Sequence, residues 1–495
     1  MPASASSSVY VASLDVGTSS VRALLFNANG EEQDAYTQQV KYEPRKTADG
    51  GVEVDADELL AMAIECLDGL HAQLEKHNCR PAALAFSAFW HSFLGVSEEG
   101  KPTTPIVHLF DTRSGAQIDW LRERIDVVET HRRTGCVLHT SYWPSKLLWL
   151  RDHRTQAFDA THSWVSFGEY LHLQFFGQPR SSVSMVSGSG IWNQAANQYD
   201  EGILAYLPID AAKQLISPEE LDQPNTQLLA AFAQRWPRLD GIPWYPALGD
   251  GACNNLGSGC VTKDRYALMV GTSGAMRVVL EGQSVEPPSG LWAYRVDANR
   301  PVFGGAISNG GEVFAWMQKS LDLPTGPELE TQLAAMEPGS HGLTVLPFFA
   351  GERAPYWRAD LRATITGMSL ATRPVDILRA SLESVALRFR QIYRMMIAKT
   401  DEPAEVMASG GALLRSPAWT QMMADALNRP IVACAENEAS SRGAAIWALE
   451  KIGALGHLRD APTRTAGIIE PRPGNAEKYD ELLEQQNRLF SALHG

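Results

Sequence analysis

A short pattern that occurs twice constrains this chain more than any other feature. Val16-Gly17-Thr18-Ser19 joins two apolar runs, Val9–Val16 and Val21–Phe26. Val270-Gly271-Thr272-Ser273 joins Ala267–Val270 to Ala275–Leu280 in the same way. An arginine follows each turn within a few residues, Arg22 or Arg277. A strand–turn–strand unit that recurs in matching context points to an internal duplication, with a boundary just before residue 266. Length agrees with this. A chain of 495 residues exceeds one ordinary hydrophobic core, and two domains of roughly 200–250 residues are the natural division.

The rest of the chain alternates strands with helices. Asn29-Gly30 is a hairpin signal, and Glu32–Val40 reads as a third strand. Asp57–His77 reads as a helix with Leu59, Leu60, Ala63, Ile64, Leu67 and Leu70 at helical spacing. Ala82–Ser87 is a short buried strand ending at Trp90-His91. In the second half Leu378, Leu382, Val385, Phe389, Ile392 and Met396 form one apolar stripe, a packing face. Pro374 and Asp376 suit the first turn of that helix. Val406–Ser409 is then a strand, Leu413–Leu427 a helix, Ile431–Ala435 a strand and Ser440–Leu449 a helix. The alternation implies an α/β protein with its sites at strand ends.

Charge and composition exclude several functions. The net charge is −14, from 43 basic and 57 acidic residues, and no basic run suggests a nucleic-acid surface. No apolar stretch approaches the roughly 20 residues of a membrane helix. Met1–Ser8 is small and polar, unlike a signal peptide. The six cysteines include no C-x-x-C pair and read as buried thiols. These features predict a cytoplasmic protein with no nucleic-acid or membrane partner.

Four segments can carry chemistry. In Asp15-x-Gly17-Thr18-Ser19-Ser20, the turn amides and hydroxyls can surround phosphate oxygens, and Asp15 can hold Mg²⁺ through water. An ordinary Gly/Ser hairpin has the same composition, but the second Gly-Thr-Ser turn favours a paired phosphate grip. Asp250, in Gly249-Asp250-Gly251-Ala252, is either a turn aspartate or a base able to take the proton of an attacking hydroxyl. Gly410-Gly411 opens a helix, where backbone can approach an anion or simply turn. Trp90-His91 is either a structural pair or one side of a sugar site, with a ring face and polar edges.

In this order these segments resemble the FGGY carbohydrate kinases over nearly the whole chain. Asp15–Arg22 resembles the family's N-terminal phosphate motif, and Lys146-Leu147-Leu148-Trp149-Leu150 its central signature. The second signature is the most specific: Ala363-x-Ile365-x-Gly367-Met368, then Asp376-Ile377-x-x-Ala380-Ser381-Leu382-Glu383. Gly410-Gly411 and Glu438-Ala439-Ser440-x-Arg442-Gly443-Ala444 resemble the later segments.

The resemblance implies two RNase-H/actin-like domains, 9–257 binding sugar and 258–495 binding nucleotide, with ATP and Mg²⁺ in the cleft. It makes Asp250 the catalytic base and Asp15 the metal-associated carboxylate. Thr18, Ser19, Arg22, Gly271 and Thr272 become phosphate contacts, with Gly311, Gly410 and Gly411 on the nucleotide side. Trp90, His91 and Asp250 become substrate contacts. Thr134-Gly135 with His139, Ile307–Gly311 and Pro347–Pro355 are most like the gluconate kinases.

The implied partner is a small sugar or sugar acid, and a homodimer is compatible with it. On this reading a sugar acid needs a cation, for which Arg113 and Arg353 are the candidates, and His91 donates hydrogen bonds in either charge state. Trp90 and Leu109 depart from the family pattern on the sugar side, so a xylulose-type ketose or polyol remains the competing substrate. A non-metabolic actin-like ATPase would share the fold and the phosphate turns.

Overall fold

The computed structural model describes residues 9–282 and 285–495. Met1–Ser8, read above as polar and unlike a signal peptide, therefore lies outside the described residues. The first sheet grows from β1 (Tyr10–Val16), whose residues after Tyr10 are all buried. A strand with both faces covered needs such an uninterrupted apolar run. β2 (Ser20–Asn27) and β3 (Gln38–Lys41) continue antiparallel from it. β4 (Ala83–Ala88) and β5 (Trp244–Gly249) add in parallel on its other side, giving the order β5-β4-β1-β2-β3. α1 (Ala56–Lys76) packs its Leu59, Ala63, Leu67 and Leu70 stripe against this sheet. Its N-cap is Asp55, which accepts from the amides of Asp57 and Glu58 and so satisfies two donors the helix cannot. α2 (Trp143–His153) lies in an inserted layer with its own small core around Phe93, Trp143 and Trp164. α3 (Asp250–Gly257) follows β5 directly.

The second half repeats this topology. β6 (Arg265–Val270), β7 (Gly274–Val279) and β9 (Arg300–Ile307) are antiparallel neighbours, while β10 (Glu405–Ser409) and β11 (Ile431–Cys434) run parallel to β6. β8 (Trp292–Asp297) and β12 (Thr465–Ile469) extend the two edges. The order β9-β7-β6-β10-β11 therefore repeats β3-β2-β1-β4-β5. α4 (Gly311–Ser320) follows β9, and α5 (Pro374–Ile397) buries the predicted apolar stripe.

Two elements differ from the sequence reading. Glu32–Val40 is not one strand: a 3₁₀ turn at Asp34–Tyr36 precedes β3. The helix expected over Leu413–Leu427 is α6 (Gly411–Leu414) and α7 (Pro417–Leu427), separated at Ser416. Pro417 has no amide to continue the first helix, and the Ser416 hydroxyl caps the second. The repeat also needs one correction. Asp15 faces Arg22 across β1 and β2, but the equivalent register places Ala275 opposite Met269; Arg277 lies opposite Ala267, two residues further from the turn.

The two halves are joined by α3 and α8 (Ala439–Lys451). α8 comes from the second half, yet Ala444–Leu449 complete the core of the first. The helices cross at backbone contact. A Cβ on Gly257 would lie 1.7 Å from the Ala439 carbonyl oxygen, and one on Gly443 would lie 1.9 Å from that of Cys253. Arg442 locks the crossing. It is buried and donates to the carbonyls of Gly30 (2.8 Å), Gly257 (2.5 Å) and Pro462. Gly443→Ala adds up to about 1 kcal/mol of helix propensity. The clash outweighs it, and stability should fall by about 3 kcal/mol or more. Gly115→Ala, where a Cβ meets nothing within 4 Å, should leave the thermal midpoint unchanged or slightly raised. Equal midpoints for the two variants would contradict this account of the crossing.

Candidate active site

Three glycine segments converge on the second turn. The Gly271 carbonyl accepts from the Gly311 amide at 2.8 Å, and the Thr272 carbonyl accepts from Gly310 and Glu312 at 3.1 Å. A Cβ on Gly311 would collide with Ala412 and Gly271, and one on Gly410 with the Val270 carbonyl. Gly410 also has φ +93°, which L side chains rarely adopt. Gly271, Thr272, Gly311, Gly410 and Gly411 therefore form one glycine-walled corner at the N-terminus of α4, suited to approach by an anion. Thr272 is exposed, with its carbonyl engaged and its hydroxyl free of protein contacts.

The first turn is built similarly. The Gly17 amide donates to Ser20, and the Tyr42 hydroxyl donates to the Gly17 carbonyl at 2.7 Å. Thr18 and Ser19 face outward. Behind them Asp15 is buried, with Arg22 at 3.5 Å; Arg22 also reaches Glu438 at 3.3 Å. Asp15 Oδ1 and the hydroxyls of Ser87 and Ser441 are buried without hydrogen-bond partners. Burial raises the Asp15 pKa, opposed first by the nearby Ser87 hydroxyl and then by Arg22 and the Ser441 hydroxyl, which lie close to the carboxylate without completing well-formed hydrogen bonds. A buried carboxylate whose Oδ1 is left without a well-formed hydrogen bond, beside two hydroxyls, fits a hydrated cation. Among the described residues no group of three or more His, Cys, Asp or Glu could hold a metal alone. A magnesium ion here would therefore depend on phosphate oxygens and water as well as Asp15.

Asp250 begins α3 at the end of β5. The Gly251 amide donates to its carboxylate at 2.8 Å. Burial pushes its pKa up to about 6, with Arg277 opposing and Asp15 adding to the rise. A carboxylate so placed is a proton acceptor whose pKa lies near neutrality, as general-base chemistry requires. Arg277 lies in β7 with 9% exposure, and its Nε and Nη1 have no partner.

The remaining residues form an aromatic and basic cluster. His91 holds a left-handed φ of +70°, and its Nδ1 lies 2.5 Å from the Gly188 carbonyl. A carbonyl only accepts, so Nδ1 carries the proton. Burial lowers the His91 pKa to about 3. His91 is thus a neutral ring whose Nε2 can only accept, which corrects the expectation of a donor. His139 has the opposite tautomer. Its Nδ1 accepts the Ser141 amide at 3.2 Å, leaving Nε2–H as a donor. The Tyr142 and Tyr294 hydroxyls hydrogen-bond to each other beside His91, with ring centroids 5.0 and 5.3 Å from it. Arg353 lies within electrostatic reach of both tyrosines and of His91. Its guanidinium makes one hydrogen bond, Nη2 to the Ile307 carbonyl at 2.9 Å.

Two sequence candidates do not face this cluster as expected. Trp90 is 4% exposed. Its Nε1 donates to Ser184 at 2.9 Å, and its ring fills the space over Gly188, Gly249 and Gly251. It is a wall behind Asp250 and offers no open ring face. Arg113 is ion-paired to Asp111 at 2.6 Å and to Glu53 at 2.7 Å, so it is not a free cation. Conversely, Tyr142, Tyr294 and Arg277 enter the candidate site unassigned by sequence. Only Arg277 had a signal, a charge inside an otherwise apolar strand.

Two duplicated α/β domains, paired Gly-Thr-Ser turns and a buried carboxylate between them define a nucleotide-dependent phosphotransferase. The N-terminal domain of the FGGY family of carbohydrate kinases matches residues 10–257, and its C-terminal domain matches residues 266–450. The chain belongs to this family and is an ATP-dependent sugar kinase. It is 27% identical over 491 residues to the gluconokinase of Bacillus subtilis (strain 168), covering 96% of this chain and 94% of the relative. A gluconate kinase from Lactobacillus acidophilus superposes with a TM-score of 0.90 at 26% identity, covering 98% of each chain. A ligand-bound xylulose kinase from the same organism gives 0.90 at 25%, again over 98% of each.

The Asp250 shift has a sign that can be measured. Its folded pKa of about 6 lies above the ordinary 3.8. The folded state thus favours the protonated form, and that stability is lost as pH rises from 4 through 6. Two units correspond to at most about 3 kcal/mol. Asp250→Asn should therefore melt above the wild type at pH 7.5, with the gap closing toward pH 4. A gap independent of pH would mean that Asp250 is not strained by burial.

Proposed function

We propose that this kinase transfers the γ-phosphoryl group of ATP to a hydroxyl of an aldonate, with gluconate as the substrate. The observation that carries the aldonate is Arg353, a half-buried guanidinium whose one hydrogen bond among the described residues is to a carbonyl, among His91, Tyr142 and Tyr294. Such a cation suits a carboxylate, and the gluconokinase relatives agree.

On this reading residues 9–257 hold the acceptor and 258–495 the nucleotide. His91 Nε2 accepts from one substrate hydroxyl, and His139 donates to an oxygen. Asp250 takes the proton of the attacking hydroxyl. The turn amides and the hydroxyls of Thr18, Ser19 and Thr272, with Arg22, receive phosphate oxygens. Gly271, Gly311, Gly410 and Gly411 let backbone approach the nucleotide. Asp15 holds magnesium through water. When bound, that ion neutralises charge developing on the phosphates.

Three outcomes test these roles. Asp250→Asn should lower kcat by roughly 10²–10⁴-fold with little change in ATP binding. In the wild type kcat/KM should fall below about pH 6, as Asp250 protonates. Near-normal turnover in the variant would remove Asp250 as the base. Asp15→Ala should raise the magnesium concentration needed for half-maximal rate while sparing acceptor affinity; an unchanged magnesium titration would move the metal elsewhere. Wild-type kcat/KM should favour gluconate over D-glucitol, its uncharged counterpart, and over D-xylulose. Preference for either neutral compound would replace gluconate by a ketose or polyol and leave the kinase intact.

A further inference from the structure

Arg277 is the least explained buried charge in the molecule. It projects from β7, opposite Ala267 on one side and Gly304 on the other. Beyond Gly304 stands Trp292 of β8, stacked on Tyr294 with centroids 4.4 Å apart. Gly304 contributes no side chain, and the backbones of β7 and β9 close over it: a Cβ there would lie 2.0 Å from the Met276 carbonyl oxygen. On its other side Nε lies 3.3 Å from where a Cβ of Gly251 would be. Arg277 is thus framed by Gly251, Asp250 and Tyr294, within electrostatic reach of Arg353.

Charge is unbalanced here. Arg277 and Arg353 lie within electrostatic reach of each other, and neither has a carboxylate within 4 Å among the described residues. Glu352 turns to Arg388, at 3.6 Å. Burial and the nearby Arg353 lower the Arg277 pKa to about 10, against the pull of Asp250. Buried cations without partners are unfavourable unless an anion joins them. That anion is not the triphosphate. Arg277 is three residues beyond Gly274, about 10 Å along the strand from the phosphate turn. Its neighbours Tyr294 and Arg353 belong with Tyr142 and His91, on the acceptor side.

Building on the aldonate reading above, we propose that Arg277 and Arg353 together form the anion site that receives the acceptor's carboxylate and selects sugar acids over neutral polyols. The carboxylate would complete both guanidiniums, and Asp250 beside Arg277 keeps the site from holding an anion permanently. No bond is made or broken by either arginine.

The test compares sodium gluconate with D-glucitol in the wild type, Arg277→Gln and Arg353→Gln, by steady-state kinetics and by calorimetric titration without nucleotide. Arg277→Gln should lose roughly 10²–10³-fold in kcat/KM for gluconate. It should lose far less for glucitol, and gluconate affinity should fall in the titration. Arg353→Gln should behave alike, and Arg277→Lys should restore part of the preference. Equal losses on both acceptors would assign Arg277 to Asp250 or to the fold and overturn the proposal. So would an unchanged gluconate-to-glucitol ratio in a folded Arg277→Gln. Those results leave the gluconate reading standing; a wild type that prefers glucitol removes both.

Discussion

The crossing of α3 and α8 is the contact on which the rest of the structure depends. Each helix enters the other half's territory, and each carries a glycine where the partner's carbonyl would meet a Cβ. Small residues are the only solution where two helix backbones approach this closely. The crossing sets the active-site geometry because each helix starts with an acid at the cleft: Asp250 opens α3 and Glu438 caps α8. Each acid faces an arginine from the opposite half, Arg277 for Asp250 and Arg22 for Glu438. Strand ends that belong to two separate sheets are thereby held around one cleft.

Electrostatics in that cleft are arranged for substrate rather than for the resting fold. Asp15 and Asp250 are both buried, and each is pushed toward its neutral form. Arg277 lacks partners for two of its nitrogens. His91 holds a left-handed backbone conformation that a non-glycine residue adopts at the expense of strain. Each feature weakens the free protein slightly. Structural ion pairs elsewhere, such as Arg113 with Asp111 and Glu53, are complete and carry no such tension. The contrast separates binding machinery from scaffold on physical grounds.

The aromatic and basic cluster proposed to receive the acceptor draws on four separate stretches of chain: His91 after β4, Tyr142 before α2, Tyr294 in β8 and Arg353 beyond β9. The tyrosine hydroxyls meet each other across 152 residues of sequence. Closure of the two halves would change all these distances together, because the residues come from both.

Local pattern in the sequence was sufficient for several central strands, for α1 and α5, and for the two Gly-Thr-Ser turns. Apolar runs mark β1, β4 and β6, a 3–4 spacing marks α5, and Gly-Thr-Ser marks both turns, because these depend on neighbours a few residues apart. The family resemblance singled out Asp15 and Asp250, but the strand that leads into Asp250, β5, was not legible in the sequence. Sequence misjudged what depends on distant partners. Arg22 and Arg277 look equivalent in sequence, yet strand register separates them by two residues. Trp90 looks like a sugar platform until Gly188 and Gly249 are found beneath its ring. Arg113 looks free until Glu53 arrives from 60 residues away. The tautomer of His91 was decided by the Gly188 carbonyl, and the availability of Arg277 by the absence of any nearby acid besides Asp250. Such properties belong to pairs of residues, and only the tertiary fold decides which pairs exist.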